Sequence, residues 1–158
     1  MNALRYKGHG DFLPYMINRV TAFLNFEFQK VLEGYELTLT HWRVLAFLAE
    51  QDGLSISALA EATGTEQSTL SRALSHLEGR GLIRRQPSRE DNRSVTIILQ
   101  AQGKAVFDAI LVQALQIESR VLGKLSDDEL DTLRALLGKI MVLNHLPRRL
   151  SRRASEPT

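Results

Sequence analysis

Apolar residues return every three or four positions through most of the chain, the spacing at which they line one face of an α-helix. Glycines and short polar residues interrupt this pattern and mark where helices begin and end. The pattern predicts six helices, over residues 12–33, 41–51, 58–63, 66–80, 102–124 and 127–146. The residues expected to cap these helices, the fifth excepted, are Asp11, Thr40, Ser57, Thr65 and Ser126.

Two strand-like runs, residues 82–86 and 94–99, lie between the fourth and fifth helices. The polar residues 87–92 between them favour a turn, so we predict a β-hairpin with a long tip. Residues 54–56 are expected to be a short extended link. Helix, short helix, tight turn, helix and hairpin is the order of a winged helix-turn-helix. The predicted fold class is mainly α with a small β-hairpin wing (α+β), flanked by dimerisation helices.

The turn between the third and fourth helices has the spacing of a helix-turn-helix. Ala60 is small where the two helices would touch, and Gly64 supplies the backbone freedom of the turn. Leu70 is placed to pack back into the core. Each feature is weak alone, but the hairpin that follows makes the combination typical of DNA-binding proteins.

The fourth helix separates into an apolar side and a small, polar side. At about 100° per residue, Leu70, Leu74 and Leu77 cluster on one side. The opposite side is small and polar around Arg72, so it fits a DNA major groove that a bulky face could not enter. An ordinary solvated helix face is the alternative. The candidate DNA-binding residues in this segment are Thr65, Gln67, Ser68, Thr69, Ser71, Arg72, Ser75 and His76.

The tip of the predicted hairpin adds a second candidate contact. Arg89 and Arg93 flank two acidic residues there, and Asp91 stands close enough to orient the guanidinium of Arg93. An arginine on a loop can enter the minor groove, where the potential is most negative. A solvated charge cluster is the alternative for such a tip.

These elements divide the chain into three parts. Residues 1–36 and 101–146 are expected to form a helical dimerisation region, because they carry too many apolar residues for so small a core. Residues 37–100 form the predicted winged helix-turn-helix DNA-binding domain. Residues 147–158 are predicted to be a disordered basic tail.

Charge is distributed unevenly, although the net charge is only +2 over 158 residues. Residues 80–93 hold five Arg and two acidic residues, and residues 144–158 hold four Arg and one Glu. Each segment therefore carries +3, while the rest of the chain carries −4. The wing and the tail are thus the parts best suited to phosphate.

Composition excludes several classes of site. The chain has no Cys, which rules out disulfides and thiol chemistry. It has no nucleotide-binding or zinc-protease motif, and no nucleophile with a matching base is recognisable, so no catalytic residue, metal or cofactor is predicted. Without a signal-peptide pattern or a membrane-spanning run, the protein is expected to be cytoplasmic, with no membrane partner.

The run from Leu37 to Leu99 resembles the MarR family of bacterial transcription regulators. The matching segments are ELTLTHWRVLAFLAE, ISALAEATGTEQSTLSRALSHLEGRGLIRRQ and SREDNRSVTIIL, and the THW and GTEQSTLSR segments are most similar to the SlyA-like branch. The resemblance implies an obligate homodimer whose fourth helix reads the major groove of a pseudo-palindromic operator in double-stranded DNA. Arg72 matches the family's recognition-helix arginine, and Asp91-Asn92-Arg93 matches its wing motif.

The resemblance also implies a small aromatic or phenolic ligand between the dimerisation helices and the DNA-binding lobe. The candidate lining residues are Tyr15, Met16, Arg19, His41, Trp42 and Arg43. An arginine there could pair with a carboxylate, and His41 could bond a phenol. The alternative is that Met16 and Trp42 belong to the core and that His41 is a cap or interface residue.

Two functions remain open at this point. The first is a homodimeric transcriptional regulator, a repressor released from DNA by a ligand. The second is a winged-helix module that binds a protein partner and no longer reads bases. The presence of Arg72, Asp91 and Arg93 favours the first, because a protein-binding module has no need of them.

Overall fold

The structure, a computed structural model, describes residues 8–87 and 95–144. A 3₁₀ turn at His9–Asp11 precedes the first helix. The helices are α1 (Leu13–Glu33), α2 (Leu39–Glu50), α3 (Ile56–Thr63), α4 (Gln67–Gly79), α5 (Ala101–Leu122) and α6 (Asp127–Leu143). The strands are β1 (Leu54–Ser55), β2 (Ile83–Pro87) and β3 (Val95–Leu99). The predicted fold class, mainly helical with a small β wing, is confirmed.

The sheet has three antiparallel strands in the order β1-β3-β2, one more than the predicted hairpin. The link expected at residues 54–56 is extended only at Leu54 and Ser55, which pair with β3, while Ile56 begins α3. The carboxylate of Asp52 accepts the Leu99 N–H at 2.8 Å and so extends this pairing by one bond. The sheet therefore joins the start of the helix-turn-helix to the wing.

One apolar core lies under α2, α3 and α4, closed by the sheet, the end of α1 and the middle of α5. The three leucines predicted on the inner side of α4 are completely buried, with Ala73 beside them. The remaining large side chains that are less than 2% exposed are Leu32, Val44, Leu45, Leu48, Leu59, Leu82, Ile83, Ile97 and Ile110. The core thus packs against the inner side of α4 along its whole length.

Four of the five predicted helix caps are wrong, and Ser126 is right. Thr38, not Thr40, caps α2, and Ser55, not Ser57, caps α3. In both cases the earlier residue is in the extended conformation, so its oxygen meets the N–H three residues on. Asp11 lies in the 3₁₀ turn, and Glu66 rather than Thr65 precedes α4. Ser126 and Glu129 form the predicted capping box of α6.

The ends of the elements differ from prediction by a few residues. Strand β2 continues through Pro87, where we expected the turn, because an edge strand tolerates a residue that has no N–H to donate. Helix α6 ends at Leu143, before the predicted residue 146. The predicted tail, residues 147–158, lies outside the described residues, as does the hairpin tip.

Candidate nucleic-acid interface

The turn between α3 and α4 has the geometry that its sequence predicts. Gly64 adopts the left-handed conformation, with φ of 61°, and its N–H bonds carbonyl groups in the last turn of α3. The Thr65 N–H reaches the Ala60 carbonyl at 3.1 Å. A side chain at position 64 would meet open space, so the turn needs glycine for its backbone angle alone.

The outer side of α4 is a continuous polar surface. Thr65 lies half-buried in the turn, and the other seven candidate residues of this segment are exposed. Hydrogen bonds between residues four apart hold several of them. The Ser75 hydroxyl donates to the Ser71 carbonyl at 3.0 Å, and Arg72 Nε donates to the Ser68 carbonyl at 3.4 Å. The surface therefore protrudes little from the helix, and its one long cationic side chain, that of Arg72, lies along it.

A polar network missed by the sequence reasoning links α4 to the wing. Glu78 accepts the backbone N–H of Arg85 at 2.9 Å and pairs with its guanidinium through the other oxygen. A second guanidinium nitrogen donates to the Ser75 hydroxyl at 3.3 Å. In the sequence, Arg84 and Arg85 contribute only to the positive charge of residues 80–93, but alternation along a strand indicates that one of them faces α4.

His41 and His76 bring a candidate ligand residue against a candidate DNA residue. Their rings stack with centroids 4.5 Å apart, and 9° between the planes. His41 Nδ1 accepts the Thr38 N–H at 3.0 Å, so this buried ring is a helix cap. Burial, with smaller contributions from His76 and the positive charge of Arg80, lowers the pKa of His41 to about 4. The imidazole is therefore neutral at ordinary pH.

The C-terminal end of α4 is anchored to the end of α1. Arg80 donates from its guanidinium to the backbone carbonyls of Tyr35 and Glu36. The Tyr35 hydroxyl in turn accepts from Gln113 of α5 at 2.9 Å. Glu36, whose carbonyl accepts one of these bonds at 3.3 Å, has a positive φ of 56°.

The six candidate ligand residues do not converge within one chain. Trp42 stacks on Phe107 at 5.0 Å and meets Phe28 edge-on at 5.2 Å, so it belongs to the edge of the core. Phe28 is 13 residues beyond Tyr15 on the same helix, a distance of about 20 Å. Tyr15, Met16 and Arg19 are exposed on α1, and Arg43 is exposed on α2.

A cleft of about 340 Å³ opens elsewhere, between α1 and α5. Glu27 bridges Lys30 and Arg120 across it, at 2.6 Å from each, and this pairing, foremost the Lys30 bond, lowers the pKa of Glu27. None of the six candidate ligand residues lines this cleft. Its walls are Glu27, Lys30, Val31, Gln113, Gln116, Ile117 and Arg120.

The remaining predictions concern the wing tip, metal ions and membranes. Arg89, Asp91 and Arg93 lie outside the described residues. Over residues 8–87 and 95–144, the structure contains no cluster of three His, Asp or Glu side chains suited to a metal ion. Within the same ranges, no helix has the length and hydropathy required to cross a membrane.

Comparison with known proteins supports the helix-turn-helix assignment. The sequence model of the MarR family matches residues 35–94. The transcriptional regulator PecS of Dickeya dadantii is 32% identical over 127 residues, which cover 78% of this chain and 76% of PecS. A MarR-family regulator from Silicibacter pomeroyi is 30% identical, with a TM-score of 0.79 over 89% of this chain and 95% of that one. This chain belongs to the MarR family.

Membership of the MarR family identifies the chain as a DNA-binding transcriptional regulator and not an enzyme. A further similar solved structure is that of BpsR of Bordetella bronchiseptica, whose DNA binding is regulated by 6-hydroxynicotinic acid. It is 25% identical, with a TM-score of 0.73 over 81% of this chain and 97% of BpsR. The SlyA-like branch stays a prediction.

Proposed function

We propose that this protein is a homodimeric, sequence-specific repressor that a small aromatic or phenolic ligand releases from DNA. The observation that carries the DNA-binding part is the low, polar outer side of α4 around Arg72, above a fully buried leucine row. Such a helix can lie deep in a major groove. The family membership supports transcriptional regulation, and the regulation of BpsR by an aromatic acid supports the ligand.

The homodimer is proposed from the apolar side chains that the long helices leave exposed. They are Phe12, Leu13, Tyr15, Met16, Ile17, Val20, Phe23 and Phe26 near or on α1, Val112 and Leu115 on α5, and Leu133, Leu136, Leu137, Ile140, Val142 and Leu143 on α6. So large an apolar surface is costly in water and is covered by association. A two-fold dimer presents two α4 helices, so the operator is a pseudo-palindrome with half-sites about 34 Å apart.

In this proposal, the residues of the interface have different roles. Arg72 reads base edges, and the N–H groups at the start of α4, near Gln67 and Ser68, bind a backbone phosphate. Thr69, Ser71, Ser75 and His76 complete the groove surface. Arg93, oriented by Asp91, and Arg89 reach the minor groove from the wing tip.

The ligand site is proposed between the dimerisation helices and the DNA-binding segment. Tyr15, Met16 and Arg19 precede Phe28, the α1 residue that packs on Trp42, by about 14 to 20 Å along the helix. One chain therefore does not form the site alone, and we propose that the second copy of the dimer completes it. A ligand held across the two copies would bind one spacing of the α4 helices better than another, which is the condition for releasing DNA.

The test is a mobility-shift titration with the intergenic DNA upstream of the protein's own gene. The protein should bind this DNA, and 6-hydroxynicotinic acid or a related aromatic acid should weaken the complex. Arg72→Ala should lose about 1–3 kcal/mol on this DNA and little on scrambled DNA. Arg134→Ala is the matched control, because this exposed arginine lies on α6, paired with Asp131 and Glu118.

Two results would change the proposal. If aromatic acids have no effect while Arg72 remains essential, the protein is a DNA-binding regulator without that class of ligand. If Arg72→Ala binds the upstream DNA as well as the unmodified protein does, base reading by α4 is wrong. The winged-helix protein-interaction module is then the better reading.

A further inference from the structure

We propose that Arg85 is a further DNA-contacting residue, a phosphate-binding arginine at the junction of α4 and the wing, and that Glu78 is its positioning residue. The inference rests on the proposed binding of DNA by α4. Arg85 lies on β2, outside the candidate DNA-binding residues named above, and its ion pair with Glu78 joins the wing to α4.

Arg84 and Arg85 are neighbours on β2, and their side chains point to opposite sides of the sheet. Arg84 faces outward and bonds the side chain of Gln86 at 2.9 Å. Arg85 faces α4, where its side chain retains 30% of its exposure. Only Arg85 therefore lies beside the outer side of the recognition helix.

Glu78 holds Arg85 in two ways. One carboxylate oxygen accepts the strand N–H, and the other pairs with the guanidinium. Both the backbone and the charged group of Arg85 are thus fixed to α4 before DNA arrives. Preorganisation of this kind removes the ordering cost that a free arginine has when it binds a phosphate.

The Ser75 bond places the far side of the guanidinium at the proposed DNA surface, since Ser75 is exposed on the outer side of α4. A guanidinium has five N–H donors, and two of those of Arg85 are used by Glu78 and Ser75. The other three donors have no acceptor among the residues that the structure describes. They are available to the phosphate that borders the major groove where α4 enters.

The alternative is that Arg85 only neutralises Glu78. Arg85→Ala alone does not separate the two roles, because it leaves a bare carboxylate near the DNA and weakens binding in either case. The double variant Glu78→Ala/Arg85→Ala separates them, since it leaves the net charge unchanged. If Arg85 only neutralises Glu78 or links α4 to the wing, the double variant keeps the salt slope of the unmodified protein, because no phosphate contact is lost.

The experiment measures binding to the operator found by the upstream-DNA titration, over a series of salt concentrations. The double variant should bind about tenfold more weakly, with a salt slope lower by about one unit, because one phosphate contact is lost. Lys104→Ala/Asp108→Ala is the matched control, because it removes an exposed ion pair from α5 and leaves net charge unchanged. It should bind like the unmodified protein.

Two single variants test the positioning role and guard against misfolding. Glu78→Gln keeps an oxygen for the Arg85 N–H and should bind within about twofold of the unmodified protein, whereas Glu78→Ala should bind several-fold more weakly. Arg85→Lys keeps the charge but not the fork, so it should weaken operator binding without lowering the thermal midpoint.

The outcomes are distinct. If the double variant keeps the salt slope of the unmodified protein while Arg72→Ala is impaired, Arg85 is only structural and the proposed function stands. Should the double variant not fold, unchanged operator affinity of Arg85→Lys leads to the same conclusion. If Arg72→Ala is also unimpaired, the proposed function itself fails.

Discussion

His41 combines structural and chemical roles in one buried side chain. It closes the capping box at the start of α2, and its ring lies flat on His76 of the recognition helix. Its Nδ1 can accept the Thr38 N–H only while that nitrogen carries no proton. Protonation of His41 would therefore remove a cap. It would also place a positive charge on the ring that stacks on His76, near the positive charge of Arg80.

We expect the free energy of unfolding to decrease as the pH falls below 6.5. The pKa of His41 is about 4 in the folded chain and is ordinarily 6.5, so between these values the unfolded chain binds a proton that the folded chain does not. The contribution is fully present above pH 6.5 and is at most about 3 kcal/mol. Denaturant titrations at several pH values measure it.

Two variants identify the source of this pH dependence. His41→Gln keeps a side-chain acceptor but cannot titrate. Its free energy of unfolding should therefore change less between about pH 7 and pH 5 than that of the unmodified protein. Thr38→Ala removes the other half of the capping box and should lower stability by about 1 kcal/mol at every pH. If the free energy of unfolding changes equally with pH in His41→Gln and in the unmodified protein, other groups are responsible for the pH dependence.

At the scale of elements, the sequence predicts the parts that depend on spacing alone. The buried and exposed sides of α4 follow from the leucines at positions 70, 74 and 77, and the turn follows from Gly64 itself, four residues after the small Ala60. Two of the four wrong caps, Thr40 and Ser57, each stand two positions after another polar residue, and only the backbone conformation decides which of the two caps the helix. The Glu78–Arg85 pair could not be predicted, because it joins elements whose docking comes from the tertiary fold.

Gly103 shows a constraint between elements that no helical pattern contains. It lies in the first turn of α5, where a Cβ atom would stand 2.0 Å from the Leu82 carbonyl oxygen and 2.8 Å from the Leu99 side chain. The N–H of Gln100, just before α5, bonds this same carbonyl at 3.0 Å. The start of α5 is therefore in direct contact with the backbone that leads into the wing.

Gly103→Ala should destabilise the protein by about 1–3 kcal/mol or more, because the backbone of Leu82 must move to admit a methyl group. Thermal or chemical unfolding measures the change. Gly79→Ala is the control: its Cβ would meet nothing within 4 Å, so this substitution at the end of α4 should be neutral or slightly stabilising. Equal stability of the two variants would contradict the close packing at Gly103.

At the scale of the whole molecule, the apolar surface is concentrated on the two ends of the chain. Ile140 of α6 is 48% exposed and Val20 of α1 is 51% exposed, whereas α4 exposes no large apolar side chain. The helix that contacts DNA in our proposal thus buries its apolar side within one chain. The long helices α1 and α6 have a hydrophobic side that a single chain leaves in water.

Ile140→Glu should shift the proposed dimer toward monomer, because it places a charge in the apolar side of α6. Sedimentation at micromolar concentration measures this, and operator affinity should fall with it. Ala135→Glu adds the same charge on roughly the opposite side of α6 and should leave the dimer intact. A stable folded monomer of 17.8 kDa in the unmodified protein would contradict the dimer outright.

The anchoring of Arg80 bears on how this regulator can be recombined with its relatives. The predicted DNA-binding domain begins at residue 37, yet Arg80 binds the carbonyls of Tyr35 and Glu36. A chimera joined at residue 37 would inherit the arginine but take its two acceptors, and the positive φ of position 36, from another protein. A functional splice belongs at the end of α1, so that the transplanted DNA-reading segment carries its own support.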